Sequence, residues 1–112
     1  MSTTNTPRVV LTLVVGCLLL IIIPMVGLAR PTDYGLFRQT ETVPPKTRLA
    51  KARCIICHVK PGGGKDLNPY GGDYRRRGRD KQALIKIRPL DSDGDGVLNS
   101  REISDGTLPG DP

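Results

Sequence analysis

Cys54-Ile55-Ile56-Cys57-His58 is the stretch on which the reading of this chain turns. The C-x-x-C-H spacing puts two thiols on one turn, in reach of the two vinyl groups of a haem. His58, the next residue, is then placed to ligate the iron. Two other chemistries use such cysteines. A thioredoxin-like dithiol needs a β-α-β setting, which the surrounding sequence lacks. A structural zinc site needs four Cys or His ligands, and the chain beyond residue 30 offers only Cys54, Cys57 and His58. The covalent haem site is the expectation that remains.

Upstream of the motif, residues 9–29 are almost uninterruptedly apolar, flanked by Arg8 and Arg30. About 20 such residues span a bilayer as a helix. Residues 1–29 are therefore expected to form an N-terminal transmembrane anchor. The alternative is a signal peptide cleaved near Ala29, after the small residues Gly27 and Ala29. Cys17 is read as a small apolar residue of that segment; a lipid-modified cysteine would be followed by polar sequence, and here apolar residues continue. Both routes place residues 30–112 on the exported side of a membrane, such as the periplasm. Residues 30–46, with Pro31, Pro44 and Pro45, read as an extended linker.

The segment around and beyond the motif, residues 47–90, reads as the haem domain. Thr47–Arg53 holds good helix formers and predicts a short helix ending near His58, broken by the run at Gly62, Gly63 and Gly64. That glycine loop is expected to pass close to the haem or to neighbouring backbone. Leu67-Asn68-Pro69-Tyr70-Gly71-Gly72 reads as a second turn. Ala83, Leu84 and Ile87 mark one face of a helix that Pro89 stops, and the chain beyond Thr107 reads as a loose tail. Aromatic residues are only 4% of the chain, and the exported part holds Tyr34, Phe37, Tyr70 and Tyr74. A domain this small and this poor in large apolar side chains needs staples.

A second staple is legible in residues 91–102, Asp-Ser-Asp-Gly-Asp-Gly-Val-Leu-Asn-Ser-Arg-Glu. They match the twelve-residue calcium loop at each ligand position. Asp91, Asp93 and Asp95 supply carboxylates, Gly96 permits the turn, Val97 offers its carbonyl, Asn99 sits where a water often bridges, and Glu102 closes the shell. Leu98 is expected to face a core. Three neighbouring carboxylates repel one another without a cation. Pro89 and Gly106 leave little helix on either side, which suits a permanent clamp better than a switch. Residues 91–112 are accordingly read as calcium-binding loop and tail.

The haem motif resembles that of the c-type cytochromes. The acidic loop, running on through Ile103 to Gly106 and Thr107, resembles the EF-hand-like calcium repeats of the thrombospondin type 3 and dockerin kind. Taken with the glycine run and Leu67-Asn68-Pro69-Tyr70-Gly71, the combination is similar to small bacterial exported proteins that carry one calcium loop behind one monohaem motif. The likeness covers about half the chain. It implies that Cys54 and Cys57 form the thioethers, that His58 is the proximal ligand, and that haem c and calcium are the cofactors. The departure is at the sixth iron position. The chain has one His, and its two Met, Met1 and Met25, lie in the apolar N-terminal segment. Water, a weaker donor (Tyr70, Tyr74, Asn68 or a lysine) or a partner's side chain is left for that role.

The net charge of +6 owes much to Arg75, Arg76, Arg77, Arg79 and Lys81. A basic face of this kind steers an acidic redox partner or rests on anionic lipid. Pairing with haem propionates, Asp73 or Asp80, and a plainly solvated face, are the other readings. Aromatic interleaving is missing, which argues against nucleic acid. The expected fold is mainly α with long loops: one N-terminal transmembrane or signal helix, then a small haem domain with a single calcium loop. The expected function is electron transfer rather than enzymatic catalysis, since no nucleophile, base or acid pair suggests bond-making chemistry. A structural or assembly subunit of a larger membrane redox complex and a small-ligand haem sensor are the competing functions.

Overall fold

The computed structural model describes residues 33–112, within a compact unit that runs from Pro31 to Pro112. The residues read as anchor or signal peptide lie outside the described part. No described helix is long and apolar enough to cross a membrane.

The architecture is mainly helical. Helix α1, Asp33–Thr40, occupies the stretch expected to be a linker. Pro44 and Pro45 lie beyond the end of this helix. Asp33 in its first turn and Arg38 in its last complement the helix dipole. Phe37 is the reason it docks: it is buried, and its ring meets Tyr70 edge-on at 6.3 Å and 88°.

Helix α2, Arg48–Lys51, starts at Thr47, whose hydroxyl accepts a hydrogen bond from the Ala50 amide. It stops well before His58, because Ala52 turns extended, with φ −71° and ψ 139°. The cysteine motif then forms its own 3₁₀ turn, Cys54–Ile56. The one helix expected from Thr47 to His58 is thus two short pieces. An isolated antiparallel bridge pairs His58 with Leu67, and the described residues form no strand.

Helix α3, Pro69–Arg76, stands where a turn was expected. Its start follows local rules: Asn68 caps it by accepting from the Gly71 amide at 2.9 Å, and Pro69 opens the first turn without a donor to satisfy. Gly71 is tolerated inside the helix for a packing reason. A Cβ at that position would lie 2.1 Å from the carbonyl oxygen of Cys57. Helix α4, Lys81–Ile87, is capped by Asp80 and buries Ala83, Leu84 and Ile87, the face expected from sequence. Both α1 and α3 pack on α4. Helix α5, Asn99–Asp105, ends at Gly106, whose φ of +79° suits glycine.

The core draws on every helix: Phe37, Leu49, Tyr70, Leu84, Ile87 and Ile103 are among its buried members. The segment expected to be a loose tail joins it. Leu108, Pro109 and Gly110 are buried, and a Cβ on Gly110 would fall 2.6 Å from the Asn68 side chain. Asp111 pairs with Arg48 at 2.5 Å.

Candidate functional site

Local hydrogen bonds shape the cysteine motif. The amides of Cys57 and His58 both donate to the Cys54 carbonyl, at 3.1 and 2.8 Å, which winds the two cysteines into one turn. The turn is held from outside by Asn68. Its side-chain amide donates to the carbonyls of Ile55 and Ile56, each at 3.0 Å, and its backbone amide donates to the Cys57 carbonyl at 3.0 Å. From the other side, the Val59 amide donates to Asp66 at 3.1 Å. Of the glycine run, Gly63 alone approaches the motif, and Gly62 and Gly64 face open space. A Cβ on Gly63 would sit 3.9 Å from both the Cys54 sulfur and His58 Cδ2.

Cys54, Cys57 and His58 all line one cavity of about 520 Å³, within the roughly 300–1,000 Å³ usual for cofactor and small-molecule sites. Tyr34, Phe37, Ile56, Leu67 and Tyr74 provide apolar wall. Arg53, Lys65, Arg75 and Arg79 line it as well, with Asp33 as its one acidic member. The thiols are free, Cys54 exposed and Cys57 half-buried. Burial, reinforced by the charge of Asp33 and opposed by that of Arg79, pushes the Cys57 thiol up to about 12. Cys57 is therefore held as a neutral thiol. His58 Nδ1 is buried without a hydrogen-bond partner, which costs about 1–3 kcal/mol for a neutral group.

Asp33 anchors a small network at this cavity. Tyr74 donates its hydroxyl to Asp33 at 3.3 Å, and Arg79 pairs with the same carboxylate. Burial and this carboxylate together raise the Tyr74 hydroxyl above its ordinary value. Among the weaker axial donors considered from sequence, Tyr74 and Lys65 line the cavity. Tyr70 and Asn68 do not. Tyr70 is fully buried against Phe37, and Asn68 spends its amide on the motif's carbonyls.

The acidic loop forms a second candidate site. Asp91, Asp93 and Asp95 bring one carboxylate oxygen each to within 4.8 Å of one another. The backbone turns around them: Asp91 accepts from the amides of Gly94 and Gly96, Asp93 from Asp95, and Asp95 from Val97. Glu102 is only 3% exposed, and its Oε2 has no hydrogen-bond partner; Asp93 Oδ2 is likewise buried and unpartnered. Burial, then repulsion from Asp93, Asp95 and Asp91, pushes the Glu102 carboxyl up to about 7. Burial also raises Asp93, with Asp95 and Asp91 adding to it against a hydrogen bond from the Asp95 amide. A cation among these oxygens would reverse both effects.

Two loop residues differ from expectation. Asn99 is fully buried: its carbonyl oxygen accepts from the Ser92 amide, and its amide nitrogen donates to the Ile87 carbonyl and the Ser92 hydroxyl. It braces the loop against α4. Leu98 does not face a core; it is 47% exposed, beside the exposed Val97.

The basic run divides rather than forming one face. Asp73 takes Arg76 and Arg77, at 2.7 and 3.1 Å, and Arg79 goes to Asp33. Asp80 is committed to capping α4, and Arg75 turns up in the cavity wall. Sequence reasoning missed Asp33, Arg53 and Lys65 as cavity residues, and Asn68 as the brace of the motif. Only Asn68 carried a readable signal, as a capping residue ahead of a proline.

Comparison with known proteins adds one relative. Over 77 residues, 69% of this chain, the sequence is 30% identical to Temptin of Aplysia californica. The match spans 60% of Temptin's length. No family model matches the chain, and no solved structure matches it.

Proposed function

We propose that this protein is a single-haem c-type electron carrier of an exported compartment, its small domain clamped by a calcium ion in the 91–102 loop. One observation carries the reading: both cysteines and the histidine of a C-x-x-C-H motif line the same largely apolar cavity of about 520 Å³. The residues suit the group. Cys54 and Cys57 would hold a haem through thioethers, and His58 would offer a ring nitrogen to the iron. Bound there, haem supplies reversible one-electron chemistry. The chain's own contribution is to exclude water with Phe37, Ile56 and Leu67, to keep the motif turn rigid through Asn68, and to hold Asp33, Tyr74 and Arg79 in one fixed network. None of these is an arrangement for bond-making catalysis. Calcium in the acidic loop accords with the unpartnered oxygens of Glu102 and Asp93 and with the hard oxygen donors that calcium takes. An acidic redox protein or a larger membrane redox complex is the partner we propose, with residues 1–29 as membrane anchor or export signal.

The test is the intact mass of the denatured protein, made in a host that matures haem c. The expected mass is that of the polypeptide plus one haem, and the polypeptide part reports whether residues 1–29 are retained. A mass without haem would refute the central claim and leave a calcium-binding module with a dithiol.

A second reading, a small-ligand haem sensor, draws on one sequence observation. His58 is the only histidine, and no methionine follows Met25. Rapid carbon monoxide binding by the reduced protein would favour the sensor; a reversible redox titration with no such binding favours the carrier.

A further inference from the structure

The acidic loop reaches α3 through a residue that is not one of its expected ligands. Ser92 lies between Asp91 and Asp93. Its hydroxyl donates to Asp73 at 2.8 Å while accepting from the Asn99 side-chain amide at 2.8 Å. Its backbone amide also donates to Asn99, at 3.2 Å. A shift of Ser92 therefore breaks contacts inside the loop and contacts to α3 together. The Asp73 side chain is only 14% exposed, and its other oxygen pairs with Arg76 and Arg77 of its own helix. Helix α3 depends on such anchors. It is eight residues long and contains Gly71 and Gly72. A helix that short is marginal by itself, and each interior glycine costs about 1 kcal/mol relative to alanine. Buried Tyr70 and Tyr74 hold its inner side, while polar contacts set the path at its two ends. At the start, about 7–8 Å of helix rise from Asp73, α3 presses on the cysteine turn. There the Asn68 amide donates to the Cys57 carbonyl at 3.0 Å, and Gly71 leaves no room for a Cβ against the same carbonyl.

We propose that calcium in the acidic loop tightens the cysteine turn through Ser92, Asp73 and α3, so that the loop controls how readily the turn opens. This rests on the calcium reading of the loop and gives that site a regulated target; it does not depend on what the cysteines hold. Without a cation, the clustered carboxylates of Asp91, Asp93 and Asp95 and the buried, unpartnered Oε2 of Glu102 repel one another. That repulsion favours loop conformations that spread these groups and draw Ser92 away from Asp73. A cation removes the bias and fixes Ser92, and with it the far end of α3. By linkage, an opened turn weakens calcium binding by the same factor by which calcium disfavours opening. A second tie runs from α5 through the backbone: the Gly106 carbonyl accepts from the Leu49 amide at 3.0 Å, and Gly110 lies against Asn68.

The test is amide hydrogen exchange, read residue by residue by NMR on the full-length haem-free chain with its thiols kept reduced. Exchange is compared in EDTA and in saturating calcium, and the melting temperature reports whether calcium binds. The amides of Cys57, His58 and Asn68 are expected to exchange about tenfold more slowly with calcium. Ser92→Ala removes the hydroxyl that joins loop to helix and leaves every expected ligand in place. In that variant calcium should still raise the melting temperature, but the slowing at the three amides should fall to about threefold or less, the remainder carried by the second tie. Ser92→Thr, which keeps a hydroxyl, should restore most of the effect. Equal slowing in the parent and in Ser92→Ala would mark general stabilisation and overturn the route through Ser92. A raised melting temperature with no slowing at the turn would overturn the coupling and leave the calcium reading intact. No rise in melting temperature and no slowing would sink the calcium reading and this proposal with it.

Discussion

Cys54 and Cys57 are three positions apart, yet the fold treats them differently. Cys54 is exposed, whereas burial and Asp33 hold the Cys57 thiol up at about 12. Against an ordinary value of 9.0, that leaves Cys57 with roughly a thousandfold less thiolate at mildly alkaline pH. In the reduced, haem-free protein at pH 8, iodoacetamide should label Cys54 first, with Cys57 slower by about tenfold or more. Peptide mapping over a time course reads the two rates, and equal rates would contradict the buried placement of Cys57. Asp73 gives a second prediction. Burial works against its charge, but hydrogen bonds from Ser92 and Arg76 outweigh that and hold the carboxyl below its ordinary 3.8. A depressed carboxylate contributes stability that is present above the unfolded value and is lost as pH falls through the folded one. Asp73→Asn should therefore cost about 1.5–3 kcal/mol in urea unfolding at pH 6, and the gap to the parent should shrink steadily below pH 4. A gap that persists undiminished at pH 2 would assign the loss to something other than the charge.

Helix α3 links the two candidate sites, and much of its behaviour follows from one glycine. Gly71→Ala would ordinarily favour a helix by about 1 kcal/mol. Here the added carbon would overlap the Cys57 carbonyl, and overpacking of this kind costs typically about 1–3 kcal/mol. The variant should be less stable than the parent in thermal melts, and it should bind iron protoporphyrin IX more weakly because the motif turn must shift. A variant more stable than the parent would show that α3 and the motif do not press together. The same helix shows where sequence reading stops. Asn68 and Pro69 announce a helix start, but Gly71 and Gly72 mimic a turn, and only contact with Cys57 explains the glycine at position 71. Helix α1 was hidden for a similar reason: the prolines around it suggested a linker, and Phe37 becomes a core residue only through Tyr70. The cysteine motif and the acidic loop were legible as candidate sites because each is contiguous and keeps strict local spacing. The cationic lining of the cavity was not, since Arg53, Lys65 and Arg75 are brought together by long-range packing.

At the scale of the molecule, the acidic loop and the cysteine turn are the ends of one connected framework. Ser92 donates its hydroxyl to Asp73 of α3 at 2.8 Å, and Asn99 ties the loop to the end of α4. The cap of α3, Asn68, grips the cysteine turn. Millimolar calcium should raise the melting temperature of the haem-free protein, by about 4–8 °C for each kcal/mol of binding in a domain of this size. Glu102→Gln should abolish the rise, and EDTA should reverse it in the parent. A melting temperature indifferent to calcium would remove the clamp from the proposed function.

The burial of Gly110 against Asn68 has a bearing on how the protein is made. A chain grows at about 5–20 residues per second, so Cys57 is released a few seconds before the residue that covers its brace. Until Gly110 arrives, Asn68, whose side-chain amide holds the cysteine turn, has one face uncovered. Synthesis of Leu108, Pro109 and Gly110 then closes the interval, so that a turn near the middle of the chain is fully secured only by residues made about fifty positions later.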